Sequence, residues 1–297
     1  MSTTQSLSSD VEPDRLRRKG PLLRIRLLSS LGLYPQGQIR SAKGIYHVDN
    51  RLAFVAVQTD EQRALKYWSE LTFFTFEEIR FLSAVLLSMR PDYGVLRIYP
   101  DGAHITHLIS NKADLYERAE GLAAARKNSR STLSIPLNGG CPYEISEQKI
   151  DSERYRKLVT RISIRDHLMM RGLSAILKAD MLQVHREFAE EANTILYIAM
   201  EVAFQLTLRN LKELGTPNPS AFDAGNFLHS TFPNNSPGMK FFEDYYEDRI
   251  KTFHPHSRLG TFAFPPLLAS HAYGLRAGLI NMFQYLITKE QWYTLWD

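Results

Sequence analysis

Cys141 is the only cysteine in this 297-residue chain, which excludes an internal disulfide and any cysteine-built zinc site. No stretch approaches the roughly 18 apolar residues needed to cross a bilayer. The opening residues, Met1-Ser2-Thr3-Thr4-Gln5-Ser6, lack the basic start and apolar core of a secretory leader. A reducing cytoplasm and no membrane partner are the expectations that follow. Phosphate-cradling glycine loops are missing, as are a G-x-S-x-G elbow and an H-E-x-x-H zinc helix. P-loop, serine-hydrolase and zinc-protease chemistry therefore have no footing, and neither a cofactor nor a metal is expected.

An apolar fraction of 44% and a charged fraction of 23% suit a globular protein with a sizeable core. The net charge of +4 is unevenly placed. Residues 1–43 carry Arg15, Arg17, Arg18, Lys19, Arg24, Arg26, Arg40 and Lys43 against Asp10, Glu12 and Asp14. Basicity thus belongs to the N-terminal end, and residues 1–20 read as a basic flexible arm. Such an arm either meets nucleic-acid phosphates or is simply solvated.

Residues 21–147 read as an α+β module. Gly44–Val48 and Leu52–Val57 flank Asp49-Asn50-Arg51 as a hairpin. A helix is predicted over Asp60–Leu71. A second starts at Thr75, with Glu78 completing a capping box, and stops before Pro91. Another hairpin is predicted for Val95–Tyr99 and His104–Leu108 across Pro100-Asp101-Gly102, and a short strand at Leu133–Leu137. The step His104-Ile105-Thr106-His107 resembles half of a two-histidine phosphoesterase motif, but no second step accompanies it.

From Asp151 onward the strand signals stop. Helices are expected over Ser152–Asp166, Arg165–Ala179 and Asp180–Leu214. The last carries a stripe of Met181, Val184, Phe188, Ala192, Ile195, Ala199, Val202 and Leu206, ended by Gly215 and Pro217. A proline-containing loop follows, then a helix over Met239–Ile250, then a closing helix over His271–Thr288. Met239, Phe242, Tyr246, Ile250 and Phe253 form the expected apolar stripe of the penultimate helix.

That helix leads into Arg249-Ile250-Lys251-Thr252-Phe253-His254-Pro255. Arginine offers a permanent charge and a fork of donors that matches phosphate oxygens. Histidine moves protons near neutral pH. Together they suffice, without a metal, to shift a proton at a ribose 2′-hydroxyl or leaving oxygen and to stabilise charge on the phosphate. In an unbroken helix the two would point about 140° apart. Pro255 disfavours helical geometry at His254 and lets it turn toward Arg249. The alternative is a solvated helix end whose histidine offsets the dipole. His254 and His256, with Asp244 and Asp248, are a weaker metal-ligand set interrupted by a proline turn. Cys141 has no base nearby in sequence.

Together with His256-Ser257-Arg258 and the closing helix, this segment resembles the HEPN superfamily, all-helical domains of prokaryotic defence and RNA processing whose signature is arginine, four to six residues, then histidine. The resemblance covers roughly residues 180–297 and implies a HEPN-like helical domain over 148–297. It implies metal-independent endoribonuclease activity of a defence or toxin type. Arg249 and His254 would be catalytic, with Arg258, Ser257 and Lys251 on the substrate. The implied partners are RNA, a second copy docked through the C-terminal helices, and an antitoxin or trigger. Ile250 departs from the pattern, because many active members have a polar residue there. The alternative is therefore an inactive interaction or dimerisation module, or a nucleic-acid-binding regulator.

Overall fold

The computed structural model describes residues 22–28, 33–41, 44–59, 75–90, 107–109, 114–128, 144–183, 186–232, 241–253 and 269–294. An antiparallel sheet at the N-terminal end is followed by mostly helical chain. Its strands are β1 (Leu22–Leu27), β2 (Leu33–Ser41), β3 (Gly44–Val48), β4 (Ala53–Thr59), β5 (His107–Ile109) and β6 (Glu144–Lys149), in spatial order β5-β1-β4-β3-β2-β6. All neighbours run antiparallel except β6, which lies parallel to β2. The helices are α1 (Phe76–Ser88), α2 (Leu115–Asn128), α3 (Ser152–Arg161), α4 (His167–Leu182), α5 (Ala189–Glu213), α6 (Ala221–Thr231), α7 (Phe241–Phe253) and α8 (Ala269–Thr288).

The hairpin expected around Asp49-Asn50-Arg51 is β3–β4, closed by the Asp49 side chain, which accepts from the amides of Arg51 and Leu52. Alternation along the strands sorts two apolar faces. Leu23, Ile25, Leu27, Phe54 and Ala56 pack against Leu115, Ala119 and Leu122 of α2. Tyr46, Val48, Val55 and Val57 face the other way, into a larger core shared with α1, α3, α4, α5 and α8. The apolar interior is therefore continuous from the sheet into the helical region.

Helix α1 joins them. Every residue from Glu77 to Ser88 is buried. Its start has the expected capping box: Thr75 Oγ1 accepts from the Glu78 amide at 3.1 Å, and Glu78 accepts from the Thr75 amide at 2.7 Å. At its end Gln284 of α8 donates to the Leu87 carbonyl at 2.6 Å, satisfying a group that helix geometry leaves over.

Glu78 also meets Arg24 and Arg26, which alternate with the leucines of β1 and so point at α1. Arg26 Nε donates to Glu78 Oε1 at 2.7 Å, and Arg24 Nε lies 3.2 Å from the same oxygen. Both arginines are buried. Two of the cations counted in the basic N-terminal end, expected either to meet phosphates or to be solvated, are thus built into the core. Residues 1–20, the Asp60–Leu71 helix, the Leu133–Leu137 strand and most of the second predicted hairpin lie outside the described residues.

Three helical expectations change. The helix expected from Asp180 to Leu214 is two elements: Asp180 belongs to α4, and α5 begins at Ala189 after a short 3₁₀ turn over Arg186–Phe188. Asp180 is held inside α4 because Arg276 of α8 grips it, Nε to Oδ1 at 2.6 Å and Nη2 to Oδ2 at 2.8 Å, both side chains being buried. Phe188, placed on the buried stripe by periodicity, is 45% exposed because the turn breaks the helical phase there. The segment read as a proline-containing loop contains α6, started by a capping box between Ser220 and Asp223. Helix α5 does end at Gly215. With φ +95° it places its amide on the Lys212 carbonyl while the Thr216 amide reaches Leu211, the two bonds of a Schellman cap.

Candidate functional site

Helix α7 carries the arginine of the Arg–His segment, and aromatic contacts set its position. Phe242 packs edge-on against Phe204 of α5, ring centroids 5.1 Å apart. Phe241 packs edge-on against Tyr245 at 5.0 Å and lies against Gly278 of α8, where an added Cβ would sit 2.5 Å from the ring. A glycine at 278 is therefore what allows α7 to seat against α8. Among the described side chains of α7, Phe241, Phe242 and Tyr245 are buried. Tyr246, expected on that face, is 49% exposed. The apolar pattern has two overlapping stripes, and contact with both α5 and α8 selects the one through Tyr245.

Arg249 stands seven residues beyond Phe242, nearly two full helical turns, and so lies close to the Phe242 line on the helix surface. Its Nη1 is 3.7 Å from Glu201 Oε2 of α5, and its guanidinium lies 5.5 Å from the centre of the Tyr246 ring. Phe242 meets Phe204 while Arg249 meets Glu201, so α7 runs antiparallel to α5. The Arg249 and Glu201 side chains are 36% and 45% exposed. An ion pair so exposed and so long contributes at most about 1 kcal/mol. The guanidinium is thus partly open to solvent.

Ile250 is partly buried, next to Arg249. Lys251 lies within α7. His254, Ser257 and Arg258 are outside the described residues, as are His256 and Cys141. Glu201 was invisible to sequence reading. It lies 48 positions from Arg249 in the chain, and only the packing of α7 on α5 brings the two together. Among the described residues no group of three or more His, Cys, Asp or Glu side chains is placed to hold a metal ion, and no helix is long and apolar enough to cross a membrane.

Deeper in the helical region, burial acts against the charge of Arg276, but the carboxylate of Asp180 outweighs it and holds the guanidinium above its ordinary range. This pair joins α4 to α8, the helix on which Phe241 of α7 rests. It supports the architecture behind Arg249 and lies away from solvent. Compared with known protein families, curated proteins and solved structures, the chain matches none.

Proposed function

We propose that this chain is a metal-independent endoribonuclease of a prokaryotic defence or toxin type, working through a HEPN-like helical domain. The observation that carries the reading is the setting of Arg249. It is a partly exposed guanidinium, 3.7 Å from Glu201, on a helix seated by three buried aromatic rings and five residues before a histidine–proline pair.

In this mechanism Arg249 exchanges Glu201 for the scissile phosphate and stabilises the charge that develops on its oxygens. His254 takes the proton from the 2′-hydroxyl or returns one to the leaving oxygen. Lys251 and Arg258 add phosphate contacts, and Ser257 orients His254. A second copy, docked through the C-terminal helices, brings two such motifs to one cleft. The exposed rings of Tyr246 on α7 and Tyr273 on α8 support that pairing. An antitoxin or trigger partner would act on the same surface.

The test is RNA cleavage in EDTA by purified protein, beside the double substitution Arg249→Ala, His254→Ala. The parent cleaves, and the variant loses about 10²–10⁴-fold in rate. Equal cleavage by both places the activity elsewhere. No cleavage by either leaves the second reading, an interaction module, which the partly buried Ile250 beside Arg249 favours.

A further inference from the structure

On the sheet face that carries α2, five polar side chains from β2, β3, the β3–β4 turn and α2 converge. The pairing of β2 with β3 sets Gln38 opposite His47, and β3 with β4 sets His47 opposite Phe54, so the three form a row across the sheet. Tyr116 of α2 closes the row edge-on to both rings, with centroids 5.4 Å from His47 and 5.6 Å from Phe54. Helix α2 covers the sheet as far as Phe54, which is buried, and leaves β2 open: Gln36, Gln38 and Arg40 are exposed.

The hydrogen bonds run in one direction. His47 Nε2 is 2.8 Å from Asp49 Oδ2, and an ionised carboxylate can only accept, so this nitrogen carries the proton. Burial pushes the Asp49 carboxyl up, but the amides of Arg51 and Leu52 and the His47 ring outweigh it and hold the carboxyl below its ordinary range. In the neutral ring Nδ1 is then an acceptor, and it receives the Gln38 amide at 3.2 Å. The same amide donates to the Tyr116 hydroxyl. Arg40 Nη2 donates to that hydroxyl as well, at 3.1 Å, with its guanidinium 5.5 Å from the Tyr116 ring centre.

Two donors therefore occupy the Tyr116 oxygen, which leaves its own hydrogen for another acceptor. Among the described residues Arg40 has no carboxylate partner. Its fork meets a phenol instead, and the residue is exposed. Asp49, the acid of the cluster, is occupied by His47 and two amides. A hydroxyl beside an exposed guanidinium with no carboxylate partner suits a tetrahedral anion. Lys149, exposed and in register with Gln36, lies further along the β2–β6 edge and offers a second cation to a longer ligand.

We propose that Arg40 and Tyr116 form a phosphate-binding site on the open face of the sheet, taking the phosphate of a nucleotide or of an RNA strand. The Arg40 fork binds two phosphate oxygens, Tyr116 donates to one of them, and Gln38, His47 and Asp49 keep Tyr116 oriented. This site is separate from Arg249 and stands whether or not the chain cleaves RNA.

The experiment measures binding by the full chain carrying His254→Ala, so that RNA survives in either case. One arm titrates AMP by calorimetry. The other follows a fluorescein-labelled single-stranded RNA in EDTA by anisotropy. Arg40→Ala is expected to weaken whichever probe binds by at least about tenfold, the worth of a hydrogen bond to a charged group, and Tyr116→Phe by about fivefold. Arg40→Lys recovers only part of the loss, because the planar fork is gone. Matching thermal melts show that each variant is folded. Binding of AMP identifies a nucleotide site. Binding of RNA alone, with a salt dependence that flattens by about one charge in Arg40→Ala, identifies an RNA site. If neither probe binds, or if Arg40→Ala leaves both affinities unchanged, the proposal is overturned.

Discussion

The sheet region and the helical region each bury a carboxylate against arginine, and they do so differently. In the helical region Asp180 and Arg276 form a closed pair, with two parallel hydrogen bonds using both oxygens. In the sheet region Glu78 divides its oxygens, Oε1 facing Arg24 and Arg26 and Oε2 capping helix α1. The first arrangement joins two helices. The second couples the start of a helix to the strand beneath it. A buried ion pair is weak evidence of net stabilisation, because desolvation opposes the attraction. What distinguishes the two is the consequence of removing one member.

The largest effect is expected at the closed pair. Arg276→Ala removes the arginine that neutralises the buried Asp180 carboxylate, and costs about 3–5 kcal/mol in urea denaturation. The double substitution Arg276→Met, Asp180→Leu recovers most of that loss, since the charge leaves with its partner. If the single variant loses under about 1 kcal/mol, Asp180 is not held as a closed pair.

Glu78→Gln comes next. Glutamine at this position still caps the helix, so only the charge facing Arg24 and Arg26 is removed, and a loss of about 2–3 kcal/mol is expected. Thr75→Ala isolates the other half of the capping box and costs about 1 kcal/mol. Equal losses for these two variants would mean that capping, rather than charge, is what Glu78 contributes.

The smallest effect is read by pH and again compares the regions. In the helical region Asp166 caps α4. Burial raises its pKa, but Arg209, at 2.5 Å, and the Met169 amide outweigh it and hold the carboxyl below the ordinary value. Asp49 is lowered in the sheet hairpin by its amides and His47. A folded-state pKa below the unfolded one stabilises the fold above about pH 4, and the benefit disappears as pH falls through the lowered value. Both sites are partly exposed, so the effect is small. Asp166→Asn and Asp49→Asn should each flatten the acid limb of a stability–pH profile, and an unchanged limb would remove that carboxylate from the account.

Local signals were legible where one short segment decides the outcome. Thr75 with Glu78 marks a helix start because both capping bonds lie within four residues. Gly215 ends α5 because the φ it adopts suits a residue without a Cβ. Ser220 with Asp223 is the same kind of start signal, hidden by the prolines around it. Arg24 and Arg26 alternate with leucine as a half-exposed strand would, and their burial depends on Glu78, more than fifty residues away. On α7, Tyr245 and Tyr246 were equally eligible for the core.

The Thr75–Glu78 capping box, the stop at Gly215, the β3–β4 hairpin and the Arg249–His254 spacing follow from the sequence alone, because each rests on interactions within a turn or two of chain. Tertiary structure decided which face of α7 is buried, that Glu201 attends Arg249, that Asp180 belongs to α4, and that Gln38, Arg40, His47 and Tyr116 form one cluster. Each of these depends on groups distant in the chain, which only packing brings within hydrogen-bond or contact range.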